Sequence, residues 1–149
     1  MAKAEGCPFC HIDREIIAEN HDALAIADLF PVSKGHCLVI PKIHIESVFE
    51  LPAAVYLACF TLVKDVKNIL QAKHNPDGFN IGTNCGIHAG QTVMHAHIHV
   101  MPRYKGDIPN PRGGVRHIIP GKGKLLRRGS SSTQTYRSDP RIRPQYQFL

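Results

Sequence analysis

The chain has 149 residues, 43% apolar and 20% charged, which suits one globular domain with a core of its own. No apolar run reaches membrane-spanning length and the opening MAKAEGCPFC has no signal-peptide core, so a cytoplasmic protein is expected. A net charge of +6 favours anionic partners, and five cysteines, an odd count, argue against a disulfide framework.

ALAIAD (23–28) and HCLVIP (36–41) read as short strands joined by the turn-like PVSKG, with Asp28 closing the first. Across 52–74, Val55, Cys59, Leu62, Val63, Val66, Ile69 and Leu70 recur at helical spacing and predict one amphipathic helix. Pro52 suits its first turn, and NPDG stops it. GFNIGTN (78–84) reads as a strand, CGIHAGQ (85–91) as a glycine-containing loop and VMHAHIHVM (93–101) as a strand that Pro102 ends. Cys37 and Cys59 fall in apolar stretches and read as core residues; His11, His21, His74 and His88 read as solvent-facing. From Gly106 the texture changes to Gly, Pro, Ser and Arg. The expected organisation is a domain over 1–124, with an irregular extension over 106–124, and a basic flexible tail over 125–149.

The segment MHAHIHVMPR places His95, His97 and His99 on alternate positions. On a strand these share one face, while Ala96, Ile98 and Val100 point into the core. Three such imidazoles span about 13 Å, too far for all three to hold one tetrahedral zinc. The row therefore suits holding an anion and acting on it: a neutral imidazole is a nucleophile, and its neighbours donate hydrogen bonds. The preceding AGQTV adds a glycine, an amide and a hydroxyl, in a loop whose backbone N–H groups suit a phosphate.

AGQTVMHAHIHVMPR, with ALAIADLFPVSKGHCLVIPKIHIESV upstream, resembles the histidine triad superfamily, and the likeness runs from about Cys7 to Arg103. The resemblance implies an α+β fold, one long helix on an antiparallel sheet, commonly paired into a dimer. It implies hydrolysis or transfer at the α-phosphate of a purine nucleotide. By position it makes His97 the nucleophile, His99 the contact to phosphate and leaving group, His36 a second phosphate-site histidine and His95 the support of the nucleophile. Asn84 and Gln91 become polar phosphate contacts with Thr92 beside them, and Asp28 becomes the carboxylate for the ribose hydroxyls. Phe9, Ile12, Leu24 and Ile26 become lining of the base pocket. Arg112 and Arg116 stand either near a polyphosphate tail or on a dimer or surface loop.

Cys7-x-x-Cys10 alone is a weak metal signal, because a structural zinc needs two further soft or imidazole ligands. The resemblance completes the set as Cys7, Cys10, His44 and His95, behind the nucleophile. The expected activity is hydrolysis of a dinucleoside polyphosphate or nucleoside phosphoramidate through a nucleotidyl-histidine. A transferase or phosphorylase with the same intermediate, and a non-catalytic nucleotide- or RNA-binding protein, are the alternatives, with nucleic acid the less favoured partner.

Overall fold

A computed structural model describes residues 4–121 and 123. Five strands form one antiparallel sheet: β1 (Ile16–Glu19), β2 (Ala23–Ala27), β3 (Cys37–Pro41), β4 (Gly78–Gly82) and β5 (Ile98–Arg103), in the order β1-β2-β3-β5-β4. A single long helix, α1 (Ala53–His74), crosses one face. This is the α+β arrangement the sequence leads one to expect. Among the described residues no helix is long and apolar enough to cross a membrane.

The alternation within the strands sorts the two faces. Ala23, Ala25, Cys37, Val39, Ile98 and Val100 meet Val55, Cys59, Leu62, Val63, Val66 and Leu70 of α1 in the main core. Burial in that core pushes the thiols of Cys37 and Cys59 up to about 11, so both stay protonated. Leu24, Ile26, Leu38 and Ile40 point to the opposite face, where Phe9 and Ile12 pack on them. That second face carries the site.

Local chemistry explains the turns. The Asn20 side chain accepts from the N–H groups of Asp22 and Ala23 and closes the β1–β2 hairpin. Gly35, between β2 and β3, has φ of +84°, and a Cβ there would stand 2.7 Å from the His74 ring, so only glycine fits. Asn75 caps α1 in the left-handed region at φ 46°, its N–H donating to the Gln71 carbonyl.

Several expectations shift. Strand β1 carries no clear alternation in REIIAEN and forms as an edge with an irregular register between Ile16 and Ala18. Pro52 caps α1 rather than entering it, and Ile69 lies outside the buried stripe, one position off the sheet-facing row. His74 is half-buried against Gly35 instead of facing solvent. Strand β4 ends at Gly82, two residues early. Strand β5 starts only at Ile98 and runs through Pro102, because pairing to β3 ends at Val100 and leaves no ladder acceptor that needs the missing N–H. The extension contains a 3-10 turn at Gly114–Ile118. The tail expected over 125–149 lies outside the described residues.

Candidate active site and metal centre

Ile98 and Val100 are buried toward α1, so the strand pleat turns His97 and His99 to the other face. His95 ends a bend and His97 immediately precedes β5, with Ala96 between them in the helix-side core. The His97 and His99 rings meet edge to face at 5.1 Å, and Phe9 stands edge-on to His97 at 5.2 Å.

His97 is 5% exposed, and its Nδ1 lies 2.8 Å from the His95 carbonyl oxygen. A carbonyl only accepts, so Nδ1 carries a proton, and the lone pair of the uncharged ring is the one at Nε2. Its own carbonyl accepts from the Thr83 hydroxyl at 2.7 Å. Thr83 has no signal in the sequence; it reaches His97 only because β4 pairs with β5.

A second set joins Asp28, just past β2, with His36, just before β3, and His99. The Val32 N–H donates to His36 Nδ1 at 3.3 Å, so the His36 proton sits on Nε2. That N–H faces His99 Nδ1 at 3.0 Å, with Asp28 Oδ2 at 3.5 Å. His99 then accepts at Nδ1 and keeps its Nε2–H as a donor. Burial, followed by repulsion from His97 and His36 and opposed by Asp28, lowers His99 to about 4; burial also lowers His36. Both rings are neutral at physiological pH. Asp28, His36 and His99 cluster tightly enough for a cation. The proton on His36 Nε2 makes them a hydrogen-bonded chain instead.

A cavity of about 280 Å³ opens over this face. Its lining includes His97, His99, Thr92 and Asp28, together with Phe9, Phe30, Leu38 and Arg14. A hollow of about 450 Å³ under the 104–114 segment holds no histidine or cysteine and offers no comparable chemistry.

Not every expected residue reaches the cavity. Leu24 and Ile26 are buried beneath it with Ile12 packed on them, a floor rather than a wall. Asn84, in the turn after β4, is off its wall, and so are Arg112 and Arg116. Gln91 differs most. Its Oε1 accepts from the Gly86 N–H, and its Nε2 donates to the Glu46 and Val93 carbonyls. Both amide hydrogens are engaged within the protein, so Gln91 staples its own loop and has no donor left for a phosphate. Arg14, which nothing in the sequence singled out, does line the cavity.

Behind His97 a four-membered cluster closes. His95 is fully buried, and its Nε2 lies 2.9 Å from the Pro41 carbonyl, which places the proton there and bares Nδ1. Around that Nδ1 stand Cys7 Sγ at 3.4 Å, Cys10 Sγ at 3.6 Å and His44 Nδ1 at 3.3 Å; Cys10 Sγ is 3.4 Å from His44 Nδ1. A tetrahedral zinc with ordinary bond lengths has sulfur–nitrogen edges of about 3.6 Å and nitrogen–nitrogen edges of about 3.3 Å. Three groups crowding one lone pair suit a shared cation better than any single hydrogen bond. These residues could hold a metal.

His97, His99, His36 and Asp28 thus gather on one face of an antiparallel sheet as a histidine-rich candidate site. The model of the HIT domain matches residues 10–106. The protein hit of Bacillus subtilis is 40% identical over 113 residues, 72% of this chain and 78% of that protein. Adenylylsulfatase HINT3 of Arabidopsis thaliana is 37% identical over 68% of this chain and 54% of its own length. The asymmetrical bis(5'-nucleosyl)-tetraphosphatase of Schizosaccharomyces pombe is 30% identical over 78% of this chain and 64% of its own. Among solved structures, a HIT family protein from Bacillus anthracis superposes with a TM-score of 0.66 at 39% identity, covering 70% of this chain and 78% of that one. A zinc-bound histidine triad family protein from Mycobacterium smegmatis superposes at 0.62 and 36% identity, covering 68% and 78%. The chain belongs to the HIT family, a superfamily of nucleotide-binding hydrolases and transferases.

Proposed function

We propose that the protein hydrolyses a nucleotide at its α-phosphorus, releasing a nucleoside monophosphate from a dinucleoside polyphosphate or a nucleoside phosphoramidate. The observation that carries this is the His97 tautomer: a main-chain carbonyl holds Nδ1–H and leaves Nε2 free in a cavity that His99 and Asp28 also line. A nucleotide substrate is supported by the names of two relatives, an adenylylsulfatase and a bis(5'-nucleosyl)-tetraphosphatase, which differ in the group that leaves.

In the first step His97 Nε2 bonds to the α-phosphorus as the bond to the leaving group breaks. The His99 Nε2–H donates a hydrogen bond to the departing atom; a polyphosphate departs as its anion, and an amine takes its proton from water. Negative charge gathers on the equatorial oxygens, and neutral imidazole and backbone donors can stabilise it there without reorganising. In the second step water attacks the nucleotidyl-histidine and its proton is released to solvent. The phosphorus–nitrogen bond breaks and His97 is restored. Asp28 suits two vicinal ribose hydroxyls: Oδ1 also accepts from the Phe30 N–H, which fixes the carboxylate, while Oδ2 keeps acceptor capacity.

Cys7, Cys10, His44 and His95 would hold a zinc that supplies no chemistry to these steps; it would tie the N-terminal segment to the approach of β5 and steady His95, whose carbonyl orients the nucleophile. A homodimer is part of this reading.

The test is intact-protein mass spectrometry after acid quench, with diadenosine tetraphosphate and with an adenosine phosphoramidate. An adenylate adduct is expected on the wild type and not on His97→Ala, and the faster substrate identifies the leaving group. No adduct and no AMP release from either substrate would overturn the reading.

A further inference from the structure

We infer that Arg14 makes this site selective for the base, favouring guanine over adenine. The inference rests on the nucleotide reading above and adds a residue that reads the substrate's far end.

The sheet order fixes where Arg14 stands. Ile16 of β1 pairs with Ile26 of β2, so Arg14, two residues before, lies at the same end of the pair as Asp28, two residues after. β5 is on the far side of β3. His99 Nδ1 and Asp28 Oδ2 meet at 3.8 Å, and Arg14 lies beyond Asp28, one strand further from β5. All three line the one cavity. A nucleotide with its phosphorus at His97 and its ribose at Asp28 therefore directs its base toward Arg14, between the apolar groups of Phe9, Phe30 and Leu38.

The guanidinium is held there with its donors unused. Its side chain is only 24% exposed. Among the described residues its one ionic neighbour is Asp13, 3.9 Å from Nε and itself 90% exposed, a solvated contact of little worth. The terminal nitrogens of Arg14 make no hydrogen bond among the described residues. Arg14 therefore reaches the cavity with donors that a ligand's acceptors can engage in place of water.

Guanidinium only donates, through a planar fork. Guanine offers two adjacent acceptors, N7 and O6, that match the fork. Adenine offers N7 beside an amino group that is itself a donor, so one arm of the fork faces a donor. Hypoxanthine keeps N7 and O6 and lacks the guanine amino group, which makes it the discriminating probe.

The experiment is calorimetric titration of the full chain with GMP, IMP and AMP, for the wild type and for Arg14→Met, which keeps the aliphatic stem and removes the fork. GMP and IMP are expected to bind the wild type about tenfold or more tightly than AMP. The variant should bind AMP as the wild type does and lose the preference. Equal affinity for AMP and GMP in the wild type would overturn the inference and leave the nucleotide site standing. So would a preference that survives in the variant, or an equal loss of all three ligands. Failure of every monophosphate to bind the wild type would overturn the nucleotide reading, and this inference with it.

Discussion

His36 Nε2 and His99 Nδ1 stand 3.0 Å apart, and the Val32 N–H, 3.3 Å from the other nitrogen of His36, decides which of the two carries the proton. A loop amide thereby sets the donor that His99 offers to the cavity. Neither ring needs a charge for this.

Replacing Val32 by proline removes that amide hydrogen and nothing from the His36 ring. His36 is then free to carry its proton on Nδ1, and His99 loses its fixed tautomer. The expected result is a kcat lower by about tenfold or more, with KM changed far less, while Val32→Ala behaves as wild type. Equal kcat in the two variants would show that the amide does not set the chain.

The low proton affinity of His99 has a sign that can be checked. The folded group titrates at about 4 against 6.5 for the ordinary side chain. Between those values the unfolded chain holds the proton and the folded chain does not, so stability rises with pH across that window. It is fully present above 6.5 and is lost as pH falls toward 4. His36 acts in the same direction. Urea denaturation at about pH 5 and about pH 7.5 should show the loss, and His99→Asn should reduce it. A slope unchanged in the variant would assign the effect elsewhere.

Metal analysis of protein purified without chelator should find about one zinc per chain. Cys10→Ser should lower the zinc content and the melting temperature, by about 5 °C or more in calorimetry. Chelation should move the wild-type melt toward that of the variant. A wild-type melt indifferent to chelator would leave the four side chains as a hydrogen-bonded cluster without a metal.

Gln91→Leu leaves the Gly86 N–H and the Glu46 and Val93 carbonyls without their partners. The expected cost is about 2 kcal/mol or more in urea unfolding, with little change in KM for the nucleotide. A large rise in KM at unchanged stability would mean that the amide touches substrate after all.

The histidine row was legible from alternation and a short motif, whereas Asp28 was legible only as the end of a strand, and its place beside the row came from the family likeness. The grouping of Cys7, Cys10, His44 and His95 was legible only through the family likeness, since Cys7 and His95 meet across 88 positions. Thr83 and Arg14 were not legible: strand pairing brings one to His97 and the other to the cavity. Gln91 misled because its position next to the row suggested the ligand, whereas its loop folds back on Gly86 and Glu46 and takes up the whole amide. Pro102 misled for a related reason, since a proline stops a strand only where a neighbour needs its N–H.

His95 serves through two different parts of itself. Its ring faces Cys7, Cys10 and His44, while its main-chain oxygen orients His97. Every amino acid brings that oxygen, so no codon change at position 95 can delete it. An orienting carboxylate, by contrast, disappears with a single base change. The orientation of His97 is thus inherited with the backbone path. Sequence drift at 95 can take a side chain away from Cys7, Cys10 and His44 and still leave the His97 ring held by the same oxygen.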